Sequence, residues 1–233
     1  MHRESHIASL ANRIWYHIAV SACAVTAYGF FRLRAFGREN VPAEGPLLLL
    51  SNHQSFVDPL FCQVPIRWRR RLWYVARDTL FDKPIFGPLI RSLQAIPIRR
   101  GQADLQAMRK IVDELKKGAA VCLYPEGTRT SDGRIADIKP GFGLLTRRTG
   151  ANIVPVVIDG AYELWPRTRK FPRPGRVVVC FGKPFSSKDI DQMGDETFAE
   201  LLTATMRQMQ HECRQRRGLK PFDYSAPAPP QET

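Results

Sequence analysis

The segment Ser51-Asn52-His53-Gln54-Ser55-Phe56-Val57-Asp58-Pro59 sets a histidine five residues before an aspartate, directly after a run of leucines, Leu47 to Leu50. An imidazole held by a carboxylate is a general base: the carboxylate fixes its tautomer and stabilises the imidazolium that forms when a hydroxyl gives up its proton. His53 and Asp58 are candidates for that pair, although His followed by Asp also occurs as a surface or capping feature. A second constellation, Tyr124-Pro125-Glu126-Gly127-Thr128-Arg129-Thr130, also follows an apolar run. Glu126, Thr128 and Arg129 bring a carboxylate, a hydroxyl and a guanidinium onto one short loop, and Gly127 allows close backbone approach, which suits a phosphate-bearing alcohol. The plain alternative is a Pro-Glu-Gly turn with a solvated arginine.

Two further segments complete the pattern. In Gln94-Ala95-Ile96-Pro97-Ile98-Arg99-Arg100-Gly101 an apolar strand ends in paired arginines, which either bind phosphate or cap a solvated strand end. Ile153-Val154-Pro155-Val156-Val157-Ile158 is apolar with an internal proline, which predicts an edge or bulged strand and offers a wall for an acyl pocket.

In this order the four segments resemble the glycerolipid acyltransferase family that includes the 1-acyl-glycerol-3-phosphate acyltransferases, over residues 37–185. The family's His-x4-Asp block falls on His53 and Asp58, its Gly-x-Ile-x-Ile-Asp-Arg block on Gln94 to Arg100, its Phe-Pro-Glu-Gly-Thr-Arg-Ser block on Tyr124 to Thr130, and its Val-Pro-Val block on Val154 to Val156. Order and spacing together are far more specific than any single block. The resemblance implies that His53 deprotonates an acceptor hydroxyl with Asp58 in support, that Arg100 and Arg129 bind the acceptor phosphate, and that Glu126, Gly127 and Thr128 belong to the acceptor site. It implies an acyl donor of acyl-CoA or acyl-carrier protein, a lysophospholipid acceptor, and neither a metal, a cofactor nor a covalent acyl-enzyme. The expected reaction converts lysophosphatidic acid to phosphatidic acid in phospholipid biosynthesis. Gln94 stands where the family usually has Gly and Arg99 where it usually has Asp, so another acceptor such as a lyso-ornithine lipid is the alternative. A thioester hydrolase would use the same pair with water as acceptor, and a non-enzymatic basic membrane-binding protein would need no ordered motifs.

These residues need a scaffold that delivers them to one edge. Residues 47–51, 72–76, 95–98, 119–124, 153–158 and 177–181 are short, continuous apolar runs, as strands buried on both faces require. Between them, residues 103–117 repeat apolar side chains at helical spacing and stop at Gly118, residues 141–149 give a shorter helix, and residues 197–217 a polar, amphipathic terminal one. The pattern predicts an α/β fold: a single domain with a central, mostly parallel sheet flanked by helices. Ligands of such sheets bind at the carboxyl ends of the strands, where both constellations lie.

The chain of 233 residues suffices for one core, and its net charge of +13 favours polyanionic partners. No zinc finger, RNP strand or KH loop accompanies that charge, so nucleic acid is not expected. Cys23, Cys62, Cys122, Cys180 and Cys213 form no close pair in sequence and read as reduced packing residues, and no zinc-ligand spacing is present. Residues 1–36 read as an N-terminal membrane-associating segment, with Trp15, Tyr16, Tyr28, Phe30 and Phe31 as interfacial aromatics; a buried helix is the alternative. Residues 37–217 form the catalytic domain and residues 218–233 a disordered tail. Arg67-Trp68-Arg69-Arg70-Arg71 is expected to rest on anionic headgroups, with a solvated loop as the alternative, and the expected localisation is membrane-associated, on the cytoplasmic face of the inner or cell membrane.

Overall fold

The structure is a computed structural model that describes residues 2–99 and 104–225, with side chains from residue 11 onward. Seven strands form one sheet: β1 (Arg34–Phe36), β2 (Leu47–Ser51), β3 (Leu72–Arg77), β4 (Ala95–Ile98), β5 (Ala120–Leu123), β6 (Asn152–Asp159) and β7 (Val178–Phe181), in the spatial order β1-β7-β6-β2-β5-β3-β4. All neighbours run parallel except β6 and β7. The helices are α1 (His2–Val25), α2 (Asp58–Gln63), α3 (Phe86–Ser92), α4 (Leu105–Lys116), α5 (Phe142–Thr149), α6 (Ala161–Leu164), α7 (Ser187–Met193) and α8 (Asp195–Arg217). The leucine run explains itself here. Leu47 and Leu49 point into one hydrophobic layer with α1 and α2, Leu48 and Leu50 into the other with α4, α5 and α8. A central strand covered on both faces needs apolar residues at every position.

β5 lies beside β2, yet the chain leaves β2 through α2 on one face and leaves β5 through α5 on the other. Adjacent strands whose connections part to opposite faces open a crevice at their carboxyl ends.

Four expectations narrow or change. Of the two readings of Pro155, an edge or a bulged strand, the bulge is the one found, since β6 lies between β2 and β7. Val156 pairs with Phe181 but Ile153 with Phe185, so three residues (Gly182, Lys183, Pro184) oppose two (Val154, Pro155), and the proline, lacking an N–H, sits where that bulge breaks the ladder. Val154 and Val156 are core residues and line no pocket described below.

Residues 11–36 are not an appendage. Tyr16, Val20, Ala24, Ala27 and Phe31 form a buried stripe on the sheet, Tyr16 donates its hydroxyl to Gln63 Oε1 at 2.6 Å, and β1 is a sheet strand. Tyr16 and Phe31 are thus core side chains, while Trp15, Tyr28 and Phe30 remain exposed. Among the described residues no helix is long and apolar enough to cross a membrane.

Part of the expected tail is ordered: Phe222 lies under the Arg214 guanidinium at 3.7 Å, and Tyr224 accepts the Ile135 N–H at 3.0 Å; residues 226–233 lie outside the described residues. Folding also brings Cys180 of β7 and Cys213 of α8 to a sulfur–sulfur contact of 2.8 Å.

Arg70 differs from its basic neighbours. It is 8% exposed and donates to the carbonyls of Gly45 (2.8 Å), Gly118 (2.9 Å) and Pro42 (3.4 Å), tying together the loops that feed β2 and β5. Charge-assisted bonds of this kind are each worth about 1.5–3 kcal/mol, and their loss leaves the buried Arg70 site without its ties to these loops. Arg70→Met is expected to lower the unfolding free energy by about 2 kcal/mol, read as a fall in urea midpoint at unchanged slope. A wild-type midpoint would remove the clamp from the account of stability.

Candidate active site

β2 ends at Ser51, and the Asn52 side chain takes over its ladder: Nδ2 donates to the Ile158 carbonyl at 2.8 Å and Oδ1 accepts the Ile158 N–H at 2.7 Å. A side chain that satisfies the neighbouring strand frees the main chain to turn away. The turn closes on Asp58, which is 0% exposed. Its Oδ2 accepts the N–H groups of Gln54 at 2.6 Å and Ser55 at 2.7 Å and meets Nδ1 of His53 at 2.7 Å. With Nδ1 donating to the carboxylate, the neutral ring carries its free lone pair on Nε2. The ring also stacks on Tyr124, with centroids 4.1 Å apart and planes 20° from parallel.

The Tyr124–Thr130 loop grips the same histidine by its backbone. The Gly127 N–H closes a turn onto the Tyr124 carbonyl at 3.0 Å, with Pro125 and Glu126 at its corner and Gly127 at φ +69°, where a side chain is strained. The turn aims Glu126 inward, so that Oε1 accepts the His53 N–H at 2.9 Å, while Thr130 N–H donates to the His53 carbonyl at 2.8 Å. Oε2 faces the Ala136 N–H at 3.4 Å. Burial raises the Glu126 carboxyl to about 7, with these two N–H groups opposing and the Asp58 and Asp132 charges adding to the rise.

His53, Asp58, Glu126 and Gly127 are therefore brought together, and Thr128 and Arg129 are half-buried on the same loop. Arg100 lies outside the described residues. Arg99 is solvent-exposed, and its N–H donates to Asp104 Oδ2 at 2.9 Å, part of the cap of α4. A cavity of about 250 Å³ opens on His53, Tyr124 and Gly127 and reaches Arg77, Ile98 and Phe142. Arg77 ends β3, and sequence reasoning passed over it. Its signal was a basic residue at the carboxyl end of an apolar run, the same signal that drew attention to Arg99 and Arg100. A second cavity of about 310 Å³, almost wholly apolar, lies behind the catalytic turn between Phe56, Val57 and Leu60 on one side and Leu89 and Ile90 of α3 on the other.

A family model described as "Acyltransferase" matches residues 32–159. The chloroplastic 1-acyl-sn-glycerol-3-phosphate acyltransferase LPAT1 of Arabidopsis thaliana is 27% identical over 79% of this chain and 52% of its own length. The 1-acyl-sn-glycerol-3-phosphate acyltransferase of Pseudomonas aeruginosa is 32% identical over 72% of this chain and 64% of its own. The chain thus spans between half and two thirds of the length of these relatives. Among solved structures, the 1-acyl-sn-glycerophosphate acyltransferase PlsC of Thermotoga maritima superposes with a TM-score of 0.74 at 24% identity, covering 86% of this chain and 80% of that one, a likeness of fold.

Glu126 makes stability depend on pH. A carboxyl with a folded value near 7 and an ordinary unfolded value of 4.5 keeps its proton longer in the native state. Its contribution is therefore full below 4.5 and is lost as pH rises to about 7, with a ceiling of about 3 kcal/mol for a shift of that size. Glu126→Gln removes this titration. The stability of the variant relative to wild type should rise between those pH values in urea melts, and a constant difference would show that Glu126 titrates normally.

Proposed function

The chain belongs to the acyltransferase family, and from that premise we propose that it moves an acyl group from the thioester of acyl-CoA or acyl-carrier protein to the free hydroxyl of lysophosphatidic acid, forming phosphatidic acid. The observation that carries this reading is the His53 ring, bound at Nδ1 to a fully buried carboxylate and lining a cavity at the carboxyl edge of the sheet. The acceptor hydroxyl gives its proton to Nε2 as its oxygen bonds to the thioester carbonyl carbon. The tetrahedral intermediate then collapses, the C–S bond breaks, and the sulfur leaves with the proton returned from the imidazolium. Asp58 stabilises that imidazolium between the two transfers.

The acceptor is assigned as lysophosphatidic acid because the relatives named above are 1-acyl-sn-glycerol-3-phosphate acyltransferases and because Arg77 lines the cavity. Arg77 in the cavity wall and Arg129 on the Glu126 loop would hold the phosphate, the charge-assisted pairing that guanidinium groups favour. Arg100 is assigned the same task from the family pattern. The apolar cavity behind Phe56 and Val57 is suited to the acyl chain, since it shares the turn that carries His53 and offers almost no polar surface.

For a substrate drawn from a bilayer, the outer face of α1 supplies the docking surface: Ile14, Trp15, Ile18 and Val25 stay exposed opposite the buried stripe. An amphipathic helix of this kind lies along a membrane rather than through it. Thioester donors of the cytoplasm put the site on the cytoplasmic face of the cell membrane.

His53→Ala should lower turnover by about 10²–10⁴ with the circular-dichroism melt unchanged, phosphatidic acid being quantified by mass spectrometry. A folded variant with substantial activity would sink the assignment. Arg77→Ala and Arg129→Ala should raise KM for the phosphorylated acceptor with smaller effects on kcat; unchanged constants in both would exclude these cations from the site. Free fatty acid in place of acylated lipid would identify a hydrolase.

A further inference from the structure

A third cavity, of about 550 Å³, opens at the opposite end of the sheet, between the loops that lead into β2, β3 and β5. From His53 it is separated by the length of β2, on the order of 16 Å. Arg13, Arg67, Arg69, Arg71 and Lys117 line it, against Glu44 as the one acid in the wall. Lys117 is already paired with Glu114 at 3.0 Å, and Arg69 donates to the carbonyls of Val41 and Glu39. Arg13, Arg67 and Arg71 have no carboxylate partner among the described residues.

Aromatic faces hold two of these guanidinium groups. Arg71 lies 4.3 Å from the Tyr16 ring centroid, and Arg67 lies 5.5 Å from that of Trp68 and 5.9 Å from that of Tyr28. Trp68 is itself braced by a stack on His17 at 5.1 Å. A stacked guanidinium is oriented without using its N–H donors. Arg71 makes no hydrogen bond among the described residues, and Arg67 uses only Nη1, on the Val64 carbonyl at 2.9 Å. Burial lowers the affinity of Arg71 for its proton, Tyr16 opposes that shift and the nearby Arg13 charge adds to it, so the two guanidinium groups stand close enough to repel.

We propose that this groove binds the phosphate of an anionic phospholipid headgroup, as a second lipid site separate from the catalytic cavity. The chemistry of an amphiphile is written in its rim. Trp68 is 71% exposed, and Ile14 and Ile18 of α1 present apolar surface next to Arg13 and His17 on the same helix. A headgroup in the groove thus continues into acyl chains lying along the helix face that docks on the bilayer. The inference rests on the docking proposed above and adds lipid selectivity to it.

The test uses the intact chain and vesicles of phosphatidylcholine, alone or mixed with phosphatidylglycerol, with partitioning measured by flotation. Wild type is expected to partition more strongly onto the mixed vesicles. Arg13→Gln, at an exposed position, should lose about fivefold of that increment, and Arg13→Gln with Arg71→Gln about 25-fold, at roughly 1 kcal/mol for each cation. Binding to pure phosphatidylcholine should not change. Wild-type selectivity in a folded Arg13→Gln protein overturns the proposal, as does saturable calorimetric binding of glycerol 3-phosphate that the double variant lacks, which would give the groove to a soluble phosphate ester. Binding to mixed vesicles alone removes the apolar docking and leaves the groove, and binding to neither removes both.

Discussion

A carboxylate without solvent contact organises this molecule. Burying Asp58 is costly unless donors replace the water it loses; Oδ2 gathers three, from the His53 ring, the Gln54 N–H and the Ser55 N–H, while Oδ1 is buried without a partner among the described residues. Those three donors belong to consecutive residues, so the main chain must curl around one oxygen within a single turn. A spacing of four residues between His53 and Asp58 is what that curl consumes. One residue fewer would leave a backbone N–H outside the ring of donors, and one more would need a bulge to keep them converging. Folding around the charge thus sets the imidazole in place before any substrate arrives, and Asp58 is also the first residue of α2, whose Phe61 and Cys62 lock the turn into the core.

The second constraint is that two loops from adjacent strands share one histidine. Glu126 accepts its N–H and Thr130 donates to its carbonyl, so the loop after β5 completes the local ladder that β2 abandons at Asn52. The parting of α2 and α5 to opposite faces leaves room for that exchange, and the crevice between them holds the cavity. Loop 131–138 is held from the far side by α8 and the chain beyond it, through Thr203, Arg207 and Tyr224.

What could be read in the sequence follows from range of interaction. Six of the seven strands were legible because burial on both faces demands unbroken apolar runs, and the meeting of His53, Asp58 and Glu126 was legible because strand ends of a parallel sheet share an edge. β1 was missed: three residues, Arg34–Phe36, with exposed and half-buried positions carry no such run. Pro155 left an edge and a bulged strand both open, because the bulge that decides between them lies in the β7 segment, nearly thirty residues on. The role of α1 was half legible. Its apolar side chains announced a buried partner, but periodicity cannot say whether lipid or protein covers each face, and here protein covers the Tyr16 stripe. Arg70 and Arg71 read alike, yet one clamps carbonyls of three loop residues and the other lies on the Tyr16 ring, a difference set by contacts of long sequence separation.

The enclosure of the imidazole has a kinetic meaning. Asp58 occupies one edge of the ring and Tyr124 one face, which leaves a single nitrogen for both proton movements of the proposed transfer. The proton taken from the alcohol and the proton handed to the departing sulfur both pass through Nε2 in that scheme. In the direct attack proposed above the alcohol oxygen meets the thioester carbon with no acyl-enzyme between them, so both substrates occupy the site together and the chemistry runs through a ternary complex.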